Sequence, residues 1–205
     1  MRVLVACERS GIVREAFRSR GHDAWSCDLV PADDDSKFHL RGDAVYYALQ
    51  DGPEWSWDLM IAHPPCTYLS RAGARWWSDP ERKQKSEAAA EFVTQLWESP
   101  IHRMAIENPI GRLNQLWRYP NQIIQPWEYG HPFSKATCLW LKNLPPLMPT
   151  HICWEYSPLL PSNVGLGRRK GQRSHPGHTR CPITASRTFT GIAEAMAQQW
   201  GGHDQ

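Results

Sequence analysis

The chain has 205 residues, a net charge of +2 and 41% hydrophobic residues, the size and composition of one soluble globular domain. No apolar run is long enough to span a bilayer, and the apolar start turns polar at Glu8, Arg9 and Ser10, too early for a secretion signal. Six cysteines without a Cys-x-x-Cys pair point to reduced thiols in a cytoplasm rather than to a disulfide framework.

The first half alternates short apolar runs with helical patterns. Residues 3–7 read as a buried strand. A helix follows, with Ser10 as its cap, Ile12, Val13, Ala16 and Phe17 at helical spacing, and Gly21 as its stop. Residues 23–27 read as a second strand with Asp28 at its carboxyl end, and Gly42-Asp43 falls in the next connection. Leu59-Met60-Ile61-Ala62 is a further strand. The spacing of Ala88, Ala89, Phe92, Val93, Leu96 and Trp97 predicts a helix over 81–98, and 103–106 is again a strand. Beyond it come a short helix at 113–117, strands at 122–125 and 137–141, and a helix at 191–200 with Ile192, Ala195, Met196 and Gln199 on one face. Residues 143–182 are rich in Pro, Gly, Ser and Arg and read as loop; 201–205 read as a disordered tail. The alternation predicts an α/β domain with a largely parallel sheet. No internal repeat is present.

Charge is uneven. Asp33-Asp34-Asp35 forms an acidic knot. Between Glu155 and Glu194 there is no acidic residue, while Arg168, Arg169, Lys170, Arg173, Arg180 and Arg187 lie there. Such a stretch suits a phosphate backbone or a solvated basic loop. Of the 11 tryptophans, Trp76, Trp77 and Trp117 lie in polar contexts where stacking on a base is open to them.

In an open α/β sheet, ligands bind beyond the carboxyl ends of the strands. Glu8, Ser10, Gly11, Asp28, Asp43, Cys66 and Glu107 all fall at or just after such ends, so this fold would bring them together. The first loop lacks the Gly-x-Gly-x-x-Gly pattern, which favours a nucleoside cofactor without a pyrophosphate. Cys66 follows Pro64 and Pro65, which stiffen the backbone. It is either a small buried hydrophobe or a nucleophile at the cleft. His63, Arg71 and Arg75 are the cations that would lower its pKa. Glu107, before Asn108-Pro109, would be partly buried, its pKa raised, and able to donate a proton to a ring nitrogen. Cys138, His151, Cys153, His175, His178 and Cys181 match no compact zinc spacing.

These residues give the chain its resemblance to the cytosine-C5 DNA methyltransferase family, short bacteriophage-type members. Pro64, Pro65, Cys66, Ser70, Ala72 and Gly73 stand in the register of the family's nucleophile signature. Glu107-Asn108-Pro109 is similar to its Glu-Asn-Val. Asp28 resembles its acidic ribose contact and Gly42-Asp43 its adenine-facing Gly-Asp. The segment Tyr129-Gly130-His131-Pro132-Phe133-Ser134-Lys135-Ala136-Thr137 resembles Tyr-Gly-x-Pro-Gln-x-Arg-x-Arg, with Lys135 and Thr137 in place of the arginines. Residues 186–196 resemble the closing cofactor motif. The first motif departs: Val5-Ala6-Cys7-Glu8-Arg9 replaces Asp-Leu-Phe-x-Gly.

The resemblance implies a Rossmann-like, S-adenosylmethionine-dependent methyltransferase fold with helices on both faces of the sheet. One catalytic domain would span 1–200, with 143–184 as a reduced DNA-recognition insertion. It implies Cys66, Glu107 and Asn108 as catalytic residues. Cofactor contacts would come from Cys7, Glu8, Ser10, Gly11, Asp28 and Leu29, then Asp43 and Pro64, and from Ser186, Arg187 and Thr188. DNA contacts would come from Ser70, Arg71, Lys135 and Thr137 and from Arg168, Arg169, Lys170 and Arg173. No metal is implied. The expected molecule is a monomer that binds DNA and no membrane, in the host-cell cytoplasm if phage-encoded. Two alternatives remain open. Arg187 would pair with the carboxylate of a modified sulfonium donor, or the enzyme would act on modified cytosine or a free nucleotide. Otherwise, the chain is a non-catalytic DNA-binding protein on a degenerate scaffold.

Overall fold

The computed structural model describes residues 1–50, 52, 56–132, 134–153 and 187–202. Seven strands form one sheet: β1 (Arg2–Ala6), β2 (Asp23–Asp28), β3 (His39–Arg41), β4 (Leu59–Ala62), β5 (Arg103–Pro109), β6 (Gln122–Ile124) and β7 (Thr137–Lys142). Their order is β3-β2-β1-β4-β5-β7-β6. The first five run parallel, while β7 pairs antiparallel to both β5 and β6. The helices are α1 (Ile12–Arg18), α2 (Ala44–Leu49), α3 (Pro80–Trp97), α4 (Leu113–Leu116) and α5 (Thr190–Trp200).

Period-two alternation along the buried strands divides the core between the two faces of the sheet. Val3 and Val5 point to one face, where Phe17 of α1 and Ile192, Met196 and Trp200 of α5 cover them. Leu4 and Ala6 point to the other, against Ala48 of α2, Val93 and Leu96 of α3 and Leu113 of α4. This is the expected α/β, Rossmann-like architecture, a mostly parallel sheet with helices on both faces. The strand order reverses between β1 and β4, which opens a crevice at their carboxyl ends. Among the described residues, no helix is long and apolar enough to cross a membrane.

Local details differ from the sequence reading. The cap position of α1 is Gly11, in the left-handed region at φ 71°. Ser10 Oγ accepts only a long 3.4 Å bond from the Ile12 amide. The first-turn donors are satisfied instead by Glu8, whose carboxylate accepts from Val13 N at 2.7 Å and Arg14 N at 3.2 Å. That reach follows from Cys7, which turns left-handed at φ 59° and directs the chain back over the helix start. The buried stripe of α3 is Ser86, Ala90, Val93 and Leu96, and Ala88 faces solvent. Two elements absent from the reading, β3 and α2, flank Gly42-Asp43, and Asp43 caps α2 by accepting from Val45 N at 2.9 Å. Gly201 is buried at the end of α5 rather than part of a free tail.

Candidate active site at the carboxyl edge of the sheet

β4 and β5 pair in parallel with Ala62 opposite Ile106. The next residues in each strand direction, His63 and Glu107, therefore meet at the sheet edge: His63 Nδ1 lies 2.9 Å from Glu107 Oε2. Both are nearly buried, with 12% and 18% of their side chains exposed. Burial alone drives the His63 imidazole down, but the hydrogen bond and charge of Glu107, helped by Glu8, hold it above its ordinary value. Burial likewise drives Glu107 up, and His63 with Lys135 more than offsets this, so its carboxyl sits below the ordinary range. The expectation of a raised Glu107 pKa is thus corrected. Desolvation is present, but a hydrogen-bonded cation outweighs it. Both shifts favour the same charged form of the pair, an imidazolium facing a carboxylate.

The pair has a consequence for stability. A raised folded pKa for His63 contributes stability fully present below its ordinary 6.5 and lost as pH rises through the folded value. A lowered folded pKa for Glu107 contributes stability present above its ordinary 4.5 and lost as pH falls through the folded value. The difference in Tm between the wild type and a Glu107→Gln variant should be greatest between those two ordinary values and shrink on either side. Thermal melts of both proteins across pH measure it.

Three residues beyond His63, Cys66 is exposed. Its thiol is nevertheless pushed up, first by partial desolvation and next by the Glu107 charge, with Lys135 pulling the other way. His63, Arg71 and Arg75 do not provide the expected lowering, because His63 is matched to Glu107 and the two arginines lie further along in the helical turn Arg71–Trp76. Glu107 thus acts on both His63 and Cys66, and the Lys135 charge bears on all three.

The loop carrying Cys66 is fixed from three sides. Asn108, 1% exposed, donates through Nδ2 to the Pro64 carbonyl at 2.8 Å. The Cys66 carbonyl accepts from Leu69 N and Ser70 N at 3.0 and 2.8 Å, closing a tight turn. From α3, Arg82 donates to Thr67 O and Ser86 to Tyr68 O at 2.9 and 2.8 Å. The segment after β5 then pairs with the same loop through Ser70 and Gly111. A Cβ at Gly111 would collide with the Leu69 carbonyl, so only glycine allows the Cys66 loop to lie this close to the Glu107 strand.

Beside this pair lies a cleft of about 400 Å3 at the β1–β4 crevice, and Cys7, Glu8, Ser10, Asp28, His63, Arg187 and Thr188 are among its lining residues. Six residues expected to touch a cofactor therefore share one cavity with His63. Cys7 is held as a neutral thiol there, pushed well up first by burial and then by its neighbours Cys27, Asp28 and Asp43. The acidic knot closes the rim. Asp33 accepts from Arg9 Nε and from Arg187 Nη2, each at 2.7 Å, and Asp34 pairs with the buried Arg14. Asp33–Arg187 links β2's loop to the segment before α5, across 154 residues of sequence.

Other expected contacts are placed differently. Gly11 lines the neighbouring groove between α1 and α5. Leu29 is 71% exposed, the Asp43 carboxylate caps α2, and Pro64 is buried under Asn108. Ser70 lies in the loop pairing and Arg71 is exposed. Thr137 is 4% exposed and its hydroxyl donates to Lys135 O at 3.1 Å. Phe133, Arg168, Arg169, Lys170, Arg173 and Ser186, with the bulk of the expected recognition insertion, lie outside the described residues. His63 as the partner of Glu107 is the residue that sequence reasoning missed. The signal was available in the equal offsets of His63 and Glu107 from the ends of two apolar strands.

No family model and no curated protein matches the chain. Among solved structures it is similar to an E. coli protein provisionally described as a DNA modification methyltransferase encoded within a prophage. The identity is 16% and the TM-score 0.46, with 74% of this chain covered. The match spans about half of that protein, 51% of its length.

Proposed function

We propose that the chain is a DNA cytosine-C5 methyltransferase. The observation that carries this reading is the meeting, at two adjacent strand ends, of an exposed cysteine and a hydrogen-bonded imidazole–carboxylate pair beside a nucleoside-sized cleft. The cleft fits S-adenosylmethionine in kind. Its volume is within the range of small-molecule sites, Asp28 stands at the end of β2 where a ribose hydroxyl is met, and the first loop lacks a phosphate cradle. Cys7, Glu8, Ser10 and Asp28 would hold it, with Arg187 and Thr188 opposite. When bound, it supplies an electrophilic methyl group for C5 of the base.

The chain's own residues perform the rest. A base inside a duplex cannot reach Cys66, so the cytosine is turned out into the site. The Cys66 sulfur forms a bond to C6 and its thiol proton leaves to water. The C5–C6 π electrons become available at C5 as N3 takes a proton from Glu107. Because His63 holds Glu107 as a carboxylate, the pair is the acid: the proton on His63 Nδ1 passes to Glu107 Oε2, and the carboxylic acid so formed delivers that same proton to N3, leaving a neutral imidazole and a carboxylate. After methylation the C5 proton is lost to solvent, the Cys66–C6 bond breaks, and N3 returns its proton to the pair. Asn108 acts as a positioning residue by holding the Pro64 carbonyl.

A carboxylated sulfonium donor is the second reading, favoured by Arg9 and Arg187 at the cleft. Against it, both guanidiniums already have a carboxylate in Asp33. Mass spectrometry of nucleosides from DNA co-expressed with the chain separates the readings. 5-Methylcytosine supports the first, a heavier cytosine supports the second, and an unmodified nucleoside pool from a well-expressed protein contradicts both.

A further inference from the structure

We propose that His131 is a positioning residue that latches the segment lining the cofactor cleft to the loop between β6 and β7, and that protonation of His131 opens the latch. The inference rests on that cleft being the S-adenosylmethionine site. α5 starts without a cap of its own: its cap position is Phe189, which makes no side-chain hydrogen bond to the helix. The Ile192 and Ala193 amides are met by the Phe189 carbonyl at 3.0 and 3.1 Å. The Gly191 amide is met from 60 residues away, donating to His131 Nε2 at 2.9 Å. His131 thus does what serine or aspartate does at a helix start, where a side-chain atom accepts from the second or third amide.

The partner fixes the tautomer. An amide N–H only donates, so Nε2 is the bare nitrogen and the proton of the neutral ring sits on Nδ1. An imidazolium has no acceptor, and its charge would face the positive end of the helix dipole. The fit around this bond is close. Thr190 Oγ1 lies 3.3 Å from the same nitrogen, and the His131 and Phe189 rings pack with their centres 5.1 Å apart. A Cβ at Gly191 would collide with the Tyr129 carbonyl.

The latch joins two parts of the site. Arg187 and Thr188, just before Phe189, line the cleft. The loop that carries His131 also carries Lys135, whose charge bears on His63, Cys66 and Glu107. The cleft-lining segment is tied at both ends, at Arg187 by Asp33 and at Gly191 by His131. The two ties respond differently to acid. Asp33 is held below the ordinary carboxylate range, first by its hydrogen bond from Arg9, so its charge persists as pH falls. The titratable neighbours of His131 are Glu194 on α5, Lys135 with its Nζ 5.8 Å from the centre of the Phe189 ring, and His151, whose carbonyl accepts from Gly130 N at 2.7 Å. Burial drives the imidazole below its ordinary 6.5, and Glu194 opposes this without overcoming it. The tie is therefore complete above 6.5 and lost as pH falls through the lower folded value.

The test is S-adenosylmethionine affinity by titration calorimetry from about pH 8 down to about pH 5, for the wild type, His131→Gln and His131→Phe. Glutamine offers an acceptor oxygen that does not titrate, and phenylalanine keeps a ring and offers none. Wild-type affinity should fall about tenfold more in acid than that of His131→Gln. His131→Phe should bind about tenfold more weakly than the wild type at neutral pH, with glutamine restoring most of the loss. His63 and the carboxylates of the cleft are common to all three proteins and cancel in the comparison. Hydrogen exchange at the Gly191 amide, corrected for its intrinsic rate, reads the latch without cofactor. It should be slow in the neutral wild type and fast both in His131→Phe and in the acidic wild type. The same pH dependence in the wild type and His131→Gln, or wild-type exchange in His131→Phe, overturns the latch. If the phenylalanine variant fails to fold, the wild type and His131→Gln carry the test. A wild type that binds no S-adenosylmethionine at any pH, yet shows the expected exchange, overturns the cofactor reading and supports the latch alone.

Discussion

Cys66→Ala is expected to reduce methyl transfer to DNA by about 10⁴-fold or more, the scale on which removal of a covalent nucleophile acts. The substitution should leave the fold nearly untouched, because Cys66 is exposed and its backbone, not its thiol, makes the turn bonds to Leu69 and Ser70. Cofactor and DNA affinity should therefore persist, separating loss of chemistry from loss of structure. The resting thiol is pushed up by partial desolvation and by Glu107, so only a small fraction is thiolate near neutrality. Activity in the wild type should rise with pH as this fraction grows and fall again as the His63–Glu107 pair loses its proton. The rate-against-pH profile measures both limbs. Full activity in Cys66→Ala would remove the covalent step.

Glu107→Gln is expected to cost about 10²- to 10⁴-fold in kcat, the range of a lost general acid. Glutamine keeps the shape and still occupies the contact with His63, but it cannot pass a proton to N3. The same substitution removes the negative charge that raises the Cys66 thiol. The thiol should then titrate at lower pH, and its alkylation at a fixed pH near neutrality should become faster even as turnover collapses. This opposite movement of reactivity and turnover distinguishes a shared electrostatic unit from two independent residues. If alkylation of Cys66 has the same pH dependence in both proteins, Glu107 does not act on the nucleophile.

What could be read without the structure depended on how local the cause was. β1, β4 and β5 are short apolar runs buried on both faces, and their carboxyl ends put Cys66, Glu107 and Asp28 at one edge. β3 is three residues, His39-Leu40-Arg41, with two polar side chains at the sheet margin, and α2 is six residues held by the Asp43 cap. Neither is long enough to give a periodic signal. Ala88 belongs to the apolar spacing that predicts α3 yet faces solvent, because alanines carry little information about facing, whereas Tyr68 fixes the buried stripe by engaging Ser86. The role of Glu8 as a helix cap required the left-handed turn at Cys7. His63 was legible as a cation near Cys66, but its pairing with Glu107 is set by the register of β4 on β5, a contact 44 residues apart in sequence. That register also reversed the pKa reading, since burial acts on a residue alone and the partner arrives only with the fold.

The most direct measurement of the central claim is incubation of the chain with 5-fluorocytosine DNA and S-adenosylmethionine, followed by denaturing electrophoresis and peptide mass spectrometry. Fluorine at C5 blocks the final loss of a proton, so the Cys66–C6 bond cannot break once C5 is methylated. The expected result is a denaturation-resistant protein–DNA species, dependent on the donor, with the modified nucleotide mapped to the peptide containing Cys66. Binding of the same DNA without any such species, or a link mapped to another residue, would contradict it.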